Sequence, residues 1–239
     1  MNTSDASHKF SWLHGDKRRL AKGFDRILLY EFDVLEEHRK FALGSLLSRS
    51  RALERRVDKE IKGMSADDRR DYYDQAHDEY IEISETFPRL QWYAQFLIVY
   101  STFEHALNYL CGVVQRRSKF SLTLKDLDGQ GIVRARNYLA KVAGAKQPFT
   151  SAKWNRALLL GDIRNAIAHR NGEVPFEPKN PKSLSARASK VAHLKLTSYM
   201  RDDPDAQILL SDGFIKDAIA DLRQVITDVC NYPLYPDEG

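Results

Sequence analysis

Leu158-Leu-Leu-Gly-Asp-Ile-Arg-Asn-Ala-Ile-Ala-His-Arg-Asn-Gly172 has a helical repeat and a built-in end. At roughly 100° per residue, Leu159, Leu160, Ile163, Ala166 and Ile167 fall on one apolar face that must enter a core, with the stem of Arg170 laid along it. The opposite face carries Gly161, Arg164, Asn165, Ala168 and His169, with Arg164 and His169 flanking small residues. Asn171-Gly172 predicts the helix stop, because Gly accepts the left-handed conformation that a C-terminal cap needs. His169 therefore belongs to the last turn.

A solvated helix face is usually filled with Lys and Glu one turn apart, whereas this face is small, polar and able to move protons near neutral pH. Two readings are open. In one, the face is a site or an interface through which a partner backbone approaches. In the other, His169 only favours the helix dipole at its C-terminal end and Arg164 pairs with a surface acid.

Working outward, apolar and charged segments alternate along all 239 residues with no Gly/Ser-rich or Pro-rich linker, which predicts one domain spanning 1–239. The fold class expected is mainly α, a helical bundle with a small β-hairpin near the C-terminal part. Residues 1–23 are polar and expected to be partly ordered, and 24–85 form a helical extension. Its first helix, 24–61, has a candidate break at Gly44. Ser65 and Asp68 resemble the N-terminal cap of a second helix ending near 87, and Pro88 suits a short break or a helix start. Residues 90–117 make the most apolar helix, with Phe96, Tyr100, Phe103, Leu107, Leu110, Cys111 and Val114 on one side. A loop (118–131), a short helix (132–142) and a turn (144–148) lead to the helix quoted above, which begins near Ser151. Residues 173–192 are expected to be an exposed insert, since 173–189 hold three of the eight prolines and several lysines. Segments 193–199 and 206–210 read as the hairpin. A last helix over 214–231 turns Ile215, Ile219, Leu222, Ile226 and Val229 inward.

The net charge of +4 is mildly basic and fits nucleic-acid binding only where positive charge is concentrated. Cys111 and Cys230 have neither CxxC nor His at ligand spacing, so neither a disulfide scaffold nor a zinc site is predicted, and a reducing cytoplasm fits. The N-terminus lacks the apolar core of a secretory signal. The longest apolar run, 92–114, is interrupted by Gln95, Glu104, His105 and Asn108, which argues against a membrane span. There is no GxxxxGK[ST] or GxGxxG phosphate loop. Asp33, Glu36 and Glu37 offer carboxylates, but acids at such spacing are usually solvated. No cofactor and no metal site are expected.

Glu104 is the only Asp, Glu, Lys or Arg between Arg89 and Arg116. A lone carboxylate in an apolar helix needs a cation or several donors. If the helices around Phe103 and Ile163 pack antiparallel, Arg164 or His169 supplies that partner; otherwise an unrelated Arg or solvent does. His105 is on the side opposite Phe103 and suits an interface or a hydrogen-bonded core position as well as a site.

Arg164-Asn165-Ala166-Ile167-Ala168-His169 resembles the Arg-polar-x-x-x-His signature of HEPN domains, small α-helical proteins that include many metal-independent endoribonucleases. The order of features is also similar to bacterial members: a helix containing Phe103-Glu104-His105, a loop with Gly131-Ile132, then the signature helix ending in Asn-Gly. The resemblance covers roughly 85–230 and sets an HEPN-like core at 85–231. It implies a helical bundle in which two protomers bring their signature helices together around one cleft, so that two copies of Arg164, Asn165 and His169 line it. It also implies RNA as substrate, a toxin or defence role, and an antitoxin or defence-system partner. A second function class is a catalytically silent HEPN interaction or nucleotide-binding module that uses the same helix as an interface.

Metal-free RNA cleavage requires a group that moves a proton and a cation that stabilises charge on the phosphoryl oxygens. An imidazole and a guanidinium meet these needs, so His169 and Arg164 are the candidate catalytic residues, with Asn165 and Glu104 orienting them. Arg49, Arg51, Arg55, Arg56 and Lys59, or Lys179, Lys182, Arg187, Lys190 and Lys195, are either solvated surface charge or a path for an RNA backbone.

Overall fold

The structure, a computed structural model, describes residues 17–198 and 204–232. It is mainly helical with a small antiparallel sheet near the C-terminal part, as expected. Helix α1 (Lys17–Glu60) continues through Gly44 without the anticipated break. A helical Gly costs only about 1 kcal/mol relative to Ala, less than burial of Leu28, Phe32, Ala42 and Leu53 on the same helix returns.

Helix α2 (Ala66–Ile81) starts where the sequence places it, with the Asp68 N–H donating to Ser65 Oγ at 3.2 Å. A π-turn at Glu82–Thr86 then leads directly into α3 (Phe87–Ser118). Its last hydrogen bond runs from the Phe87 N–H to Glu82 O. The widened turn makes room for Pro88, which has no N–H and would crowd the preceding turn of a regular helix. Pro88 thus marks a helix start, as expected, but no loop precedes it.

The loop after α3 holds a 3-10 turn at Leu124–Asp126, closed by a Thr123/Asp126 capping box whose backbone bond from Thr123 holds the Asp126 carboxyl below its usual range. Helix α4 (Gly131–Asn137) ends in a π-turn, Tyr138–Val142. A 3-10 turn at Gln147–Thr150 precedes α5 (Ala152–Arg170), the helix that carries the signature. There follow β1 (Glu173–Pro175), α6 (Leu184–Ala188), β2 (Leu194–Thr197), β3 (Asp205–Leu210) and α7 (Asp212–Asn231).

The expected hairpin is present as β2 and β3, with Leu196 opposite Ile208, although residues 199–203 of that prediction are outside the described residues. The sheet has a third strand that the sequence reading assigned to the insert. Its order is β1-β3-β2, with Val174 opposite Ala206. Pro175 is tolerated because β1 is an edge strand. The description of 173–192 as an exposed insert is corrected accordingly: Val174, Ser185, Ala186, Ala188 and Val191 are buried. Helix α6 is capped by Ser183 Oγ, Glu177 N–H donates to Ser185 Oγ at 2.9 Å, and Arg187 pairs with Asp162 at 2.8 Å. Pro178, Lys179 and Lys182 are exposed, as predicted.

Packing divides the described residues into two compact units, each drawn from separate stretches: one from 1–34, 99–161 and 218–239, the other from 35–98 and 162–217. In the first, Phe32, Phe103, Leu107, Tyr138, Leu139, Leu160 and Leu222 are fully buried. Phe149 meets Trp154 edge-on at 4.9 Å, and Tyr138 donates to Leu122 O at 3.1 Å. Burial pushes the Cys111 thiol up to about 12. Asp33 pairs with Arg223 at 2.6 Å.

In the second unit, Phe96, Ile163, Ile208, Phe214 and Ile215 form the centre of a core between helices and sheet. Phe96 packs edge-on against Phe214 with centroids 5.1 Å apart. Arg39, only 6 % exposed, clamps Glu36 through Nε and Nη2 at 2.8 and 2.7 Å and donates from Nη1 to Asp212 at the start of α7. Glu37 pairs with Lys40 at 2.7 Å, so Asp33, Glu36 and Glu37 are all held by cations.

The hydrogen bonds from Arg39 hold the Glu36 carboxyl below its ordinary range. A carboxylate with a folded pKa below the unfolded one contributes stability above the unfolded value, near about 4.3, and loses it as pH falls through the folded value. Thermal stability is therefore expected to drop on acidification below that range. Arg39→Ala should cost about 2 kcal/mol in urea denaturation and flatten this acid-side slope; an unchanged slope would mean that the clamp contributes nothing.

Candidate active site

Ser151 opens α5, with its Oγ accepting from Trp154 N–H at 3.1 Å. Leu160, Ile163, Ala166 and Ile167 are buried and Leu159 half-buried, which reproduces the predicted apolar face. Arg170 departs from the prediction. It is exposed and paired with Asp205 at 3.6 Å, drawn off the apolar face by the carboxylate at the start of β3.

Asn171 and Gly172 both take left-handed backbone, with φ of 50° and 83°. The Gly172 N–H donates back to Ala166 O at 3.0 Å, and its carbonyl accepts from Ile208 N–H at 2.9 Å. A Cβ at Gly172 would run into Tyr93 Oη and approach Gln207 Nε2 to 2.7 Å, so Gly is required for both conformation and space. Buried Gln207 donates to Asn171 O at 2.6 Å and to Tyr93 Oη at 2.8 Å, while Tyr93 donates to Ile208 O. The last turn of α5 is thereby tied to the central strand of the sheet.

On the opposite face, Asn165, Ala168 and His169 are exposed and Arg164 is half-buried. Arg164 Nη1 donates to Asn165 Oδ1 at 3.0 Å. Its Nε is buried without a hydrogen-bond partner, a cost of about 1–3 kcal/mol unless an acceptor arrives. Arg164, Asn165 and His169 thus share one short stretch of helix surface, with the guanidinium steered by the neighbouring amide.

Gly161 has a different reason to be small. A Cβ there would collide with Tyr100 Oη and sit 3.2 Å from Cζ, in the same unit. Tyr100 Oη also donates to Ala157 O at 3.4 Å. Close packing of α3 on α5 therefore explains Gly161, and the bare surface reduces to Asn165, Ala168 and His169. Glu104 is half-buried, and its Oε1 lies 3.1 Å from where a Cβ on Gly131 would be. It belongs to the first unit, whereas Arg164, Asn165 and His169 belong to the second. His105 is exposed.

Of the two basic groups, Arg49 stacks over the Phe87 ring at 5.0 Å, Arg56 pairs with Glu79, and Arg187 is taken by Asp162. Arg51, Arg55, Lys59, Lys179, Lys182, Lys190 and Lys195 are exposed. Among the described residues no group of three or more His, Cys, Asp or Glu is arranged to hold a metal ion, and no helix is long and apolar enough to cross a membrane.

Sequence reading did not find Tyr93, Gln207 or Tyr100 as supports of this helix. All three act across long sequence separations, and no local pattern marks them. Comparison with protein-family models, with curated proteins and with solved structures gives no match.

Gly161→Ala should cost about 2 kcal/mol by overpacking against the Tyr100 hydroxyl. Tyr100→Phe in the same chain should recover part of that loss in urea denaturation. A Gly161→Ala penalty indifferent to Tyr100→Phe would return Gly161 to the open face.

Proposed function

We propose that this chain is a metal-independent endoribonuclease of the HEPN kind that works as a homodimer. The observation that carries the reading is the placement of Arg164, Asn165 and His169 on one helix surface, immediately before an exit fixed by buried Gln207. In this reaction the 2′-oxygen forms a bond to the adjacent phosphorus as the bond to the 5′-oxygen breaks. The 2′-OH gives up a proton, the departing oxygen gains one, and the products end in a 2′,3′-cyclic phosphate and a 5′-OH. His169 moves the proton, and a two-fold dimer supplies a second His169 so that one acts as base and the other as acid. Arg164, whose fork suits a phosphate, stabilises charge on the phosphoryl oxygens, and Asn165 holds that fork. Exposed Arg and Lys side chains guide the RNA backbone. The biological setting that fits is a cytoplasmic toxin or defence effector held in check by an antitoxin or a defence-system partner.

A second reading has an observation of its own. The His169 ring is exposed, and Asn165 and Ala168 beside it present little bulk, which suits a silent interaction module equally well.

Incubation of the full chain with mixed RNAs in EDTA separates the two readings. Cleavage is expected, with DNA left intact. His169→Ala should lower the rate by about 10² or more, and Arg164→Ala should raise the barrier by about 3 kcal/mol. Asn165→Ala should be milder. Cleavage only with added Mg²⁺, together with full activity of folded His169→Ala, would sink the nuclease reading and leave the interaction module.

A further inference from the structure

Residues that the ribonuclease reading does not use form a second candidate site. Between α1 and α2, wholly within the second unit, lies an open cavity of about 540 Å³, within the size range of small-ligand sites. Its floor is aliphatic: Leu53 and Ile83 are 7 % and 5 % exposed, with Val57 beside them. Tyr73 and Tyr80 stand on the α2 side, 51 % and 57 % exposed, although each is large enough to be worth burying. On the α1 side are the carboxylates of Glu54 and Asp58, one helical turn apart and so about 6 Å between Cβ atoms.

Among the described residues neither a Lys nor an Arg lines the cavity, and His77 is the only lining side chain able to carry positive charge. Helix α2 adds Asp67, Asp68, Asp71, Asp74 and Asp78 against Arg69 and Arg70, with Glu79 taken by Arg56; α1 carries Arg51, Arg55 and Lys59 outside the lining, so the negative charge is that of the lining itself, Glu54 and Asp58, on a chain whose net charge is +4. A negative mouth draws cations. An aliphatic floor excludes a hydrated metal ion but accepts methylene groups, and the faces of exposed tyrosines attract ammonium groups.

We propose that this cavity binds a linear aliphatic polyamine. The hydrocarbon lies over Leu53, Val57 and Ile83, ammonium groups separated by a propylene or butylene spacer meet Glu54 and Asp58, and Tyr73 and Tyr80 close over the chain. The charge pattern selects the cation, and the apolar floor selects an organic cation over an inorganic one.

The test is calorimetric titration of the full chain with spermidine in moderate salt, beside putrescine, hexane-1,6-diol and Mg²⁺. Spermidine is expected to bind saturably at one site, putrescine more weakly, and the uncharged diol not measurably. Mg²⁺ at equal charge should not displace spermidine. The double variant Glu54→Gln/Asp58→Asn changes exposed side chains without changing their size, and it should weaken spermidine at least about tenfold with the melting temperature retained. Tyr80→Ala should weaken it while leaving the carboxylates in place. Absence of saturable heat, displacement by Mg²⁺, or unchanged affinity in the folded double variant would overturn the proposal. RNA cleavage has no part in the readout, so the result stands apart from the ribonuclease reading.

Discussion

The left-handed exit of α5 constrains everything around the candidate active site. Two consecutive residues, Asn171 and Gly172, adopt positive φ, which an isolated chain would not hold without compensation. Compensation comes from β3, where Gln207 occupies the Asn171 carbonyl and the Ile208 N–H occupies that of Gly172. Tyr93 completes the knot, accepting from Gln207 and donating to Ile208 O. Each buried hydrogen bond contributes only about 1 kcal/mol net, but an unmatched buried amide costs more. The arrangement is therefore cooperative: Gly172 admits the Tyr93 and Gln207 side chains, and they in turn fix where α5 ends. His169, in the last turn, inherits its position from them.

Much of this was legible in the sequence, because the deciding signals are local. The apolar spacing of Leu160, Ile163 and Ile167, the Asn-Gly stop, and the Ser65 cap each act over a few residues, and all recur in the structure. What escaped depends on partners distant in the chain. Strand β1 has three residues and contains Pro175, so nothing within it announces a strand; it exists because β3 offers an edge. Helix α1 passes through Gly44 because burial on both sides of that position outweighs one weak helix former. Pro88 follows α2 without a loop because a π-turn absorbs its missing donor.

The site was legible in part, for the same reason. Spacing alone put Arg164, Asn165 and His169 on one face, and the exposure of Asn165 and His169 on α5, with Arg164 half-buried beside them, agrees. Spacing could not tell two kinds of small residue apart. Gly161 is small because the Tyr100 hydroxyl occupies the space a methyl group would need, whereas Ala168 is small on an exposed surface. A buried Arg164 Nε without an acceptor beside an Asn-held Nη1 is an unfavourable arrangement in a resting protein. Arg136 shares it, with a buried Nε that lacks an acceptor beside an Nη1 held by Asn137, so an Arg-Asn pair on a helix gives this geometry away from the candidate site as well as in it.

The central claim is that this helix promotes attack by an RNA 2′-OH on its own phosphodiester. The most direct measurement uses a short RNA whose cut bond has been mapped, resynthesised with a single 2′-deoxy nucleotide on the 5′ side of that bond. The account predicts that cleavage at that bond disappears while cleavage elsewhere in the strand continues. Continued cutting at the deoxy-substituted bond would contradict it, since no internal nucleophile would remain there.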